Sequence, residues 1–228
     1  MRPLHTQLPR GARIYLPDEA VRKRHVERGL FDVFRRWGYR EIVTPTFEYA
    51  DVLATGTDLA VQENMFKLVD RETGRMLALR ADITPQIARV VATRLRDEPK
   101  PLRLSYVTNV FRYDEPRVSH YREFYQAGVE LIGLEKPEAE VEIIAMTIEG
   151  LRALGLDRFQ LDLGHPDFFR GLLEEVKADA ARQQELREAL ARKDVGTLER
   201  VVGEIAPPAH VGDALCALPT LLGHAAVL

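Results

Sequence analysis

Two long stretches of alternating side chains, separated by a short polar segment, constrain the fold of this chain more than any other feature. LRLSYVTNVFR (102–112) alternates as a strand does, and YREFYQAGVELIG (121–133) follows with the same period. The segment between them, DEPRVSH (114–120), is longer than a tight two-residue turn. The pattern therefore predicts an antiparallel hairpin with a long loop.

The segments that precede this hairpin carry helix and strand signals in turn. They predict a helix over 17–37, a strand over 40–47, and a hairpin that joins 66–69 to 76–80. Pro45 donates no hydrogen bond, so the strand that contains it is expected at a sheet edge or an interface. Thr84 is expected to cap a helix that has Pro85 at its first position.

The segments that follow the hairpin change in character along the chain. Pro137 opens a helix whose buried stripe is predicted to be Val141, Ile144, Ile148 and Leu151, and FQLDL (159–163) is predicted to be a strand. Beyond it the sequence predicts only short helices, broken at Asp194 and at Pro207-Pro208. Strands and helices in separate blocks indicate an α+β fold with a mainly antiparallel sheet. We expect one domain over 1–165 and a small helical domain over 166–228.

Composition excludes several classes of protein. The chain has 228 residues, of which 46% are hydrophobic, and a formal net charge of -3, so no overall charge attracts nucleic acid. Its one cysteine excludes an internal disulfide framework and suits a reducing compartment. No segment approaches the roughly 20 apolar residues that span a bilayer. We therefore expect a cytoplasmic protein with no membrane contact. No motif for a metal or a phosphate-binding loop occurs, so no metal and no cofactor is expected.

Three polar residues stand at alternate positions in LRADITPQIAR (79–89). Side chains of an extended chain repeat every two residues, so Arg80, Asp82 and Thr84 are predicted to point the same way at the end of a strand.

The two faces of the strand 121–133 differ in kind. The odd positions (Tyr121, Tyr125, Ala127, Val129, Leu131) form a normal core face. The even positions carry Arg122, Phe124, Gln126, Gly128 and Glu130. One interpretation is the solvent face of a half-covered sheet. The other is a ligand site, in which Phe124 beside Gly128 forms a floor for a planar group.

Charged residues near this strand extend the ligand-site interpretation. Arg112 ends the preceding strand and could bind a phosphate or a carboxylate, or form a surface ion pair with Asp114 or Glu115. Asp82, Gln126 and Glu130 together would suit a cationic amine, because such a group needs carboxylates and other acceptors.

At these residues the chain resembles the class II aminoacyl-tRNA synthetases. FRYDE (111–115) followed by His120-x-x-x-Phe124 is similar to their motif 2, and GYREIVTPTFE (38–48) to their motif 1. LRADIT and YREFYQAGVELIG resemble the histidyl-tRNA synthetases in particular. The resemblance covers 11–165, and it implies an antiparallel sheet flanked by helices and a homodimer through motif 1.

The resemblance also implies roles for individual residues. Four polar residues would hold histidine: Asp82, Thr84, Gln126 and Glu130. Arg112 would meet a carboxylate or an α-phosphate. Phe124 and His120 would belong to a nucleotide-like pocket, where Phe124 would stack on an adenine ring and His120 would lie near the distal phosphates.

The chain departs from the synthetase pattern where catalysis needs positive charge. Ser119-His120 stands where those enzymes carry Gly-Arg, and no Arg-Gly-Leu-Asp-Tyr-Tyr segment or glycine-rich motif 3 occurs. Aminoacylation needs those charges to stabilise the transferring phosphate. No catalytic residue is therefore expected, and no tRNA.

A second family fits these departures better. DITPQIAR, REFYQAGVELIG and the helical REALARKDVGTLERVV resemble the regulatory subunits of ATP phosphoribosyltransferase, the first enzyme of histidine biosynthesis. This resemblance implies a non-catalytic chain that binds histidine as its ligand and activates a short-form catalytic subunit in a hetero-oligomer. It also implies that the helical domain is incomplete and the chain truncated at its C-terminus. Two alternatives stay open: the N-terminal part of a histidyl-tRNA synthetase catalytic domain, and a stand-alone histidine-binding module.

Overall fold

The chain forms two compact units, Met1–Phe159 and Gln160–Leu228. The computed structural model describes residues 7–57, 59–113, 121–164 and 166–220. In these ranges all strands belong to the first unit, and the second consists of helices. The division lies in the stretch between the last helix of the first unit and the first helix of the second, close to the boundary expected at 165.

The first unit contains six strands and five helices among the residues described. The strands are β1 (Arg40–Glu41), β2 (Phe47–Tyr49), β3 (Lys67–Val69), β4 (Met76–Leu79), β5 (Leu102–Phe111) and β6 (Glu123–Ile132). The helices are α1 (Pro17–Arg36), α2 (Ala50–Ala54), α3 (Leu59–Glu63), α4 (Thr84–Thr93) and α5 (Pro137–Ala153).

The predicted long hairpin is confirmed as β5 and β6, which form the body of a three-stranded sheet. The two strands pair antiparallel along their whole length, from Leu102 opposite Ile132 to Phe111 opposite Glu123. The short β1 runs parallel to β5 at the other edge. A second sheet has the order β2-β4-β3 with both pairings antiparallel. The mainly antiparallel α+β fold is thus confirmed.

Each face of the β5–β6 sheet carries its own hydrophobic cluster. On one face the buried residues belong to α4, to β5 and to the residue before the helix. They are Ile83, Ile87, Leu104, Tyr106 and Val110, and Val91 of α4 and Leu95 just after it pack against them. On the other face α1 and α5 pack on the sheet, through Val33, Phe34, Tyr39 and Met146. The long ladder therefore serves as the wall between two layers of helix.

Three details of the predicted elements are wrong. The strand over 40–47 is broken into β1 and β2, which pair with β5 and β4 in different sheets, and Pro45 lies in the break between them. The 159–163 stretch has no strand partner among the described residues and is irregular. The α5 stripe is rotated: Val141 is 64% exposed, whereas Met146 and Gly150 are buried against neighbouring elements.

The second unit is a cluster of four short helices in its described part, as predicted. They are α6 (Pro166–Val176), α7 (Ala180–Ala191), α8 (Val195–Ile205) and α9 (Ala209–Ala217). Leucines and valines from all four helices fill its core. Asp194 breaks the chain as expected, since its carboxylate accepts from the Thr197 backbone N–H at 3.1 Å and caps α8.

A ring of four exposed charges joins α7 to α8 in this unit. Each of two arginines contacts both of two glutamates; the four are Arg182, Glu185, Arg200 and Glu204. Exposed ion pairs are weak singly, and a closed network is the arrangement in which they contribute to stability.

None of the helices in the described ranges is long and apolar enough to cross a membrane.

Candidate functional site

The end of β4 and the start of α4 lie over the middle of β6, and four of the predicted residues meet there. The Thr84 hydroxyl donates to Glu130 Oε1 at 2.8 Å. The Gln126 amide donates to Asp82 Oδ1 at 3.2 Å. Both contacts bring together residues more than forty positions apart in the sequence. Asp82, Thr84, Gln126 and Glu130 therefore form one polar cluster, which we call the carboxylate site.

Asp82, and not Thr84, provides the side-chain acceptor at the start of α4. Its Oδ1 accepts from the backbone N–H groups of Ile83 at 2.6 Å and Thr84 at 3.4 Å. The residue in the N-cap position is Ile83, so the expectation that Thr84 caps the helix is wrong. The physical reason is competition for the Thr84 hydroxyl, which bonds to Glu130 on the facing strand instead.

The carboxylate site is rich in acceptors and has no cation of its own. Among the described residues no lysine, arginine or histidine forms an ion pair with Asp82 or Glu130. Burial raises the pKa of Glu130, and the nearby Asp82 charge raises it further, while the Thr84 hydrogen bond lowers it. Gln126 Oε1 is buried without a hydrogen-bond partner in the structure. These groups together are arranged to accept hydrogen bonds from a donor-rich ligand.

Tyr106 is a member of this cluster that sequence reasoning missed. It lies opposite Gly128 in the β5–β6 ladder, and a Cβ atom on Gly128 would be only 2.5 Å from Tyr106 Cζ. Burial, together with the charges of Glu130 and Asp82, raises the pKa of Tyr106 to about 12. The phenol therefore fills the space over Gly128 that had been assigned to a planar ligand. The hairpin register, once known, was the signal that could have found it.

Arg112 and Phe124 lie next to each other beyond the carboxylate site. The Arg112 guanidinium carbon is 5.3 Å from the centroid of the Phe124 ring, and its Nε donates to the Ala81 carbonyl at 3.0 Å. Phe124 also packs against the cluster on the α4 face of the sheet. The floor predicted from Phe124 and Gly128 is thus wrong on two counts, since an arginine covers one residue and a tyrosine the other. His120 and the alternative partners Asp114 and Glu115 lie outside the described residues.

Arg80 does not share the direction of Asp82 and Thr84. It is 4% exposed and donates to the carbonyls of Thr44, Pro45 and Asn109. Regular strand geometry ends at Leu79, so the period of two does not extend to Asp82. Arg80 therefore supports the site from within the fold, and the expectation of three converging side chains is correct for two.

The odd face of β6 is only partly a core face. Val129 and Leu131 pack against α1 and α5, as predicted. Tyr121 and Tyr125 are each 42% exposed, so this half of the prediction is wrong. Here the N-terminal half of α1 contributes Lys23, whose Nζ lies 3.5 Å from the centroid of the Tyr125 ring, in place of an apolar side chain.

The chemistry open to the carboxylate site follows from its donors and acceptors. Two carboxylates and an orphan amide oxygen can bind a protonated amine or an imidazole N–H by charge-assisted hydrogen bonds. In the described part of the chain, no three His, Cys, Asp or Glu side chains are grouped so that they could hold a metal ion. The arrangement thus favours a small organic cation.

Comparisons with known proteins identify the family of this chain. Residues 11–228 match the family model described as histidyl-tRNA synthetase. The ATP phosphoribosyltransferase regulatory subunit of Geobacter metallireducens is 42% identical over 227 residues, which is 99% of this chain and 52% of that protein. The protein of the same name from Desulforamulus reducens is 45% identical over 201 residues, or 86% of this chain and 48% of that one. The chain thus spans about half the length of these curated relatives.

Solved structures give the same result. A Bacillus halodurans crystal structure, described as an ATP phosphoribosyltransferase regulatory subunit/histidyl-tRNA synthetase, aligns over 100% of this chain and 58% of its own, with a TM-score of 0.88 and 34% identity. The S. aureus histidyl-tRNA synthetase aligns over 66% of this chain and 40% of its own, with a TM-score of 0.57 and 31% identity. The class II synthetase-like fold is therefore confirmed. The chain belongs to the histidyl-tRNA synthetase family, in the branch whose members are named regulatory subunits of ATP phosphoribosyltransferase.

Proposed function

We propose that the chain acts in a non-catalytic regulatory subunit of ATP phosphoribosyltransferase, which binds histidine and activates a short-form catalytic subunit at the first step of histidine biosynthesis. The observation that carries the proposal is the carboxylate site, where Asp82 and Glu130 lack a cation and Gln126 Oε1 lacks a donor. The names of the curated relatives support the regulatory role. The proposed location is the cytoplasm.

Histidine fits the carboxylate site by charge and by its number of donors. Its ammonium group supplies three N–H donors and its imidazole ring at least one more. A half-buried carboxylate without a neighbouring cation is unfavourable, and a ligand cation would reduce that cost. Arg112, which lies beside Ala81 and Phe124, would meet the ligand's carboxylate with its guanidinium group.

Calorimetric titration of free histidine tests the ligand. We expect heat of binding with histidine and none with lysine or arginine, because their longer side chains should not fit a site bounded by Tyr106 and Phe124. Tyr125→Phe is a suitable control, since Tyr125 lies on the opposite face of β6. Equal weakening by Tyr125→Phe and by a substitution of Glu130 would contradict the assignment of the faces.

Histidine-dependent pyrophosphate exchange with ATP tests the non-catalytic role. Phosphoryl and adenylyl chemistry needs several fixed positive charges around the phosphates, and of the sequence-predicted residues only Arg112 supplies one in the described ranges. We expect no exchange above a no-enzyme control. Clear exchange would favour the alternative of a synthetase catalytic domain. A chain that binds histidine, yet fails to raise the activity of a short-form catalytic chain in an assay without histidine, would favour the stand-alone module.

The proposed assembly includes a homodimer through 17–50, before the catalytic subunit joins. Val43 is 84% exposed, and Phe47, in the edge strand β2, is 55% exposed. Apolar side chains at a sheet edge are usually covered. We expect light scattering at tens of micromolar to give a dimer, and Phe47→Asp to give a monomer. Val141→Asp, which charges an equally exposed residue on α5, is the control. A monomeric wild-type chain would contradict the homodimer.

A further inference from the structure

The connection between β1 and β2 spans residues 42–46. Backbone hydrogen bonds hold its ends, at Ile42 and Thr46, and side chains hold its middle. Pro45 has no N–H, and its carbonyl accepts from Arg80 Nη1 at 3.2 Å and from Gln86 Nε2 at 3.0 Å. The Thr44 carbonyl accepts from Arg80 Nη1 at 2.9 Å, and the Thr44 hydroxyl donates to Gln86 Oε1 at 2.8 Å. Thr44 and Pro45, in the middle of the connection, are therefore both held by the side chains of Arg80 and Gln86.

These two side chains bracket the segment that carries the carboxylate site. Arg80 comes two residues before Asp82, and Gln86 comes two residues after Thr84. Arg80 extends in the other direction to the Asn109 side chain at 2.5 Å and to the Thr108 hydroxyl on β5. Thr108 is the ladder partner of Gln126. One set of hydrogen bonds thus ties both halves of the site to the Thr44–Pro45 connection.

Arg80, Gln86 and Thr44, which we call the clamp, form a hydrogen-bonded set that is both polar and buried. Arg80 is 4% exposed, Gln86 0% and Thr44 8%. Burying polar groups is costly, and replacing the whole set by apolar side chains can be neutral for stability, whereas removing one partner alone leaves the others unsatisfied. What hydrogen bonds add is direction, because donors and acceptors fix relative position where apolar contacts can slide. The clamp is therefore suited to hold a segment in place more than to add stability.

We propose that Arg80 and Gln86 are positioning residues of the carboxylate site, and that they act by fixing the 82–84 segment to the Thr44–Pro45 connection. Neither residue contacts Glu130 among the hydrogen bonds described, and each acts through the backbone beside Asp82 and Thr84. This inference rests on the proposed function of the carboxylate site. It means that the geometry of the carboxylate site depends on Arg80 and Gln86, which lie outside it.

The Thr84–Glu130 hydrogen bond provides a readout that needs no ligand. That bond lowers the pKa of Glu130, whose other titratable neighbours are Asp82 and Tyr106. Heteronuclear NMR of the glutamate carboxyl carbons, with Glu130→Gln for assignment, follows the titration in the intact chain. We expect Gln86→Leu to raise the pKa of Glu130 towards its value in Thr84→Val, because the segment moves and the bond is lost.

A matched control lies on the same helix. Arg89 of α4 binds Glu48 of β2 at 2.5 Å, and it makes no hydrogen bond to the connection in the structure described. Arg89→Met should leave the Glu130 titration unchanged. Thr44→Val, which keeps the shape and removes one bond, should give a smaller effect than Gln86→Leu and serves if the latter does not fold.

Histidine affinity gives the second measurement. We expect Gln86→Leu to weaken histidine binding about threefold to tenfold. That is the effect of losing one ordinary hydrogen bond, here the bond between Thr84 and Glu130. In a Thr84→Val background the same change should add nothing, since its effect passes through Thr84. Absence of histidine binding by wild type would reject the proposed function, and the titration would still decide this inference. A Glu130 pKa that stays at its wild-type value in Gln86→Leu, or in Thr84→Val itself, would overturn it.

Discussion

Glu130→Gln should weaken histidine binding and, at neutral pH, raise the stability of the folded chain. The substitution keeps the size of the side chain and an oxygen that can accept from the Thr84 hydroxyl, and it removes the negative charge. The carboxylate is half-buried and has no cation partner among the described residues. Its charge therefore favours a cationic ligand and disfavours the folded state without ligand.

Both effects can be bounded. A charge-assisted hydrogen bond is worth roughly 1.5–3 kcal/mol, so histidine affinity should fall about tenfold to a hundredfold. Burial raises the pKa of Glu130 above its unfolded value, so the folded state holds the proton more tightly. That contribution to stability is present in acid and is lost as the pH rises through the raised pKa. At neutral pH, each unit by which the folded-state pKa of Glu130 exceeds its unfolded-state pKa lowers the free energy of unfolding by about 1.4 kcal/mol. A glutamine at this position avoids that cost.

Calorimetry and urea unfolding at neutral and acidic pH test this prediction. Glu130→Gln should bind histidine weakly, unfold at higher urea than wild type at neutral pH, and lose that advantage in acid. Glu123→Gln is the control, because Glu123 lies on the opposite face of β6 and accepts from Asn109 Nδ2 at 2.9 Å. A variant that binds histidine within twofold of wild type and is less stable at neutral pH would refute the reasoning.

Three further substitutions test the packing around the site and in the helical unit. Gly128→Ala should cost roughly 1–3 kcal/mol in urea unfolding, because its Cβ would overlap the Tyr106 ring. Arg80→Leu should cost about 3 kcal/mol or more, since the Thr44 and Asn109 carbonyls lose the donor that Arg80 supplies inside the fold, and a loss under 1 kcal/mol would contradict the clamp. Asp194→Ala should lower the thermal midpoint by removing a cap worth about 1 kcal/mol, without changing histidine binding.

Much of the fold could be predicted from the sequence, because its strongest patterns are local. The period of two over 102–112 and 121–133 is long enough to fix both strands and, with one face buried, their register. Gly38 takes a positive φ of 83° just after α1, as a helix stop requires. Asp194 and Pro207-Pro208 mark breaks that no packing arrangement could remove.

The failures arise where a partner distant in the sequence decides the outcome. Val141 is apolar and on a helical period, yet α5 turns Met146 towards α1, which the α5 sequence alone cannot specify. FQLDL has a strand pattern, and a strand exists only beside another strand. Thr84 has the composition of a cap, but its hydroxyl is drawn to Glu130 across the sheet.

The candidate site was partly predictable for the same reason. Resemblance and residue type brought Asp82, Thr84, Gln126 and Glu130 together, and the structure places them in contact. Tyr106 was missed because a tyrosine in an alternating strand is typical of core. Only the position of Tyr106 opposite Gly128 shows that the tyrosine hydroxyl reaches the polar cluster.

Tyr106 occupies the space that a side chain at position 128 would need, so the residues at these two positions should change together in evolution. The space between the strands is filled once, either by a phenol from residue 106 or by a side chain at residue 128. Among related chains, a change at either position should therefore be accompanied by an opposite change in volume at the other. A lineage that gains a larger residue at 128 should already have lost the tyrosine, and with it the hydroxyl beside Thr84.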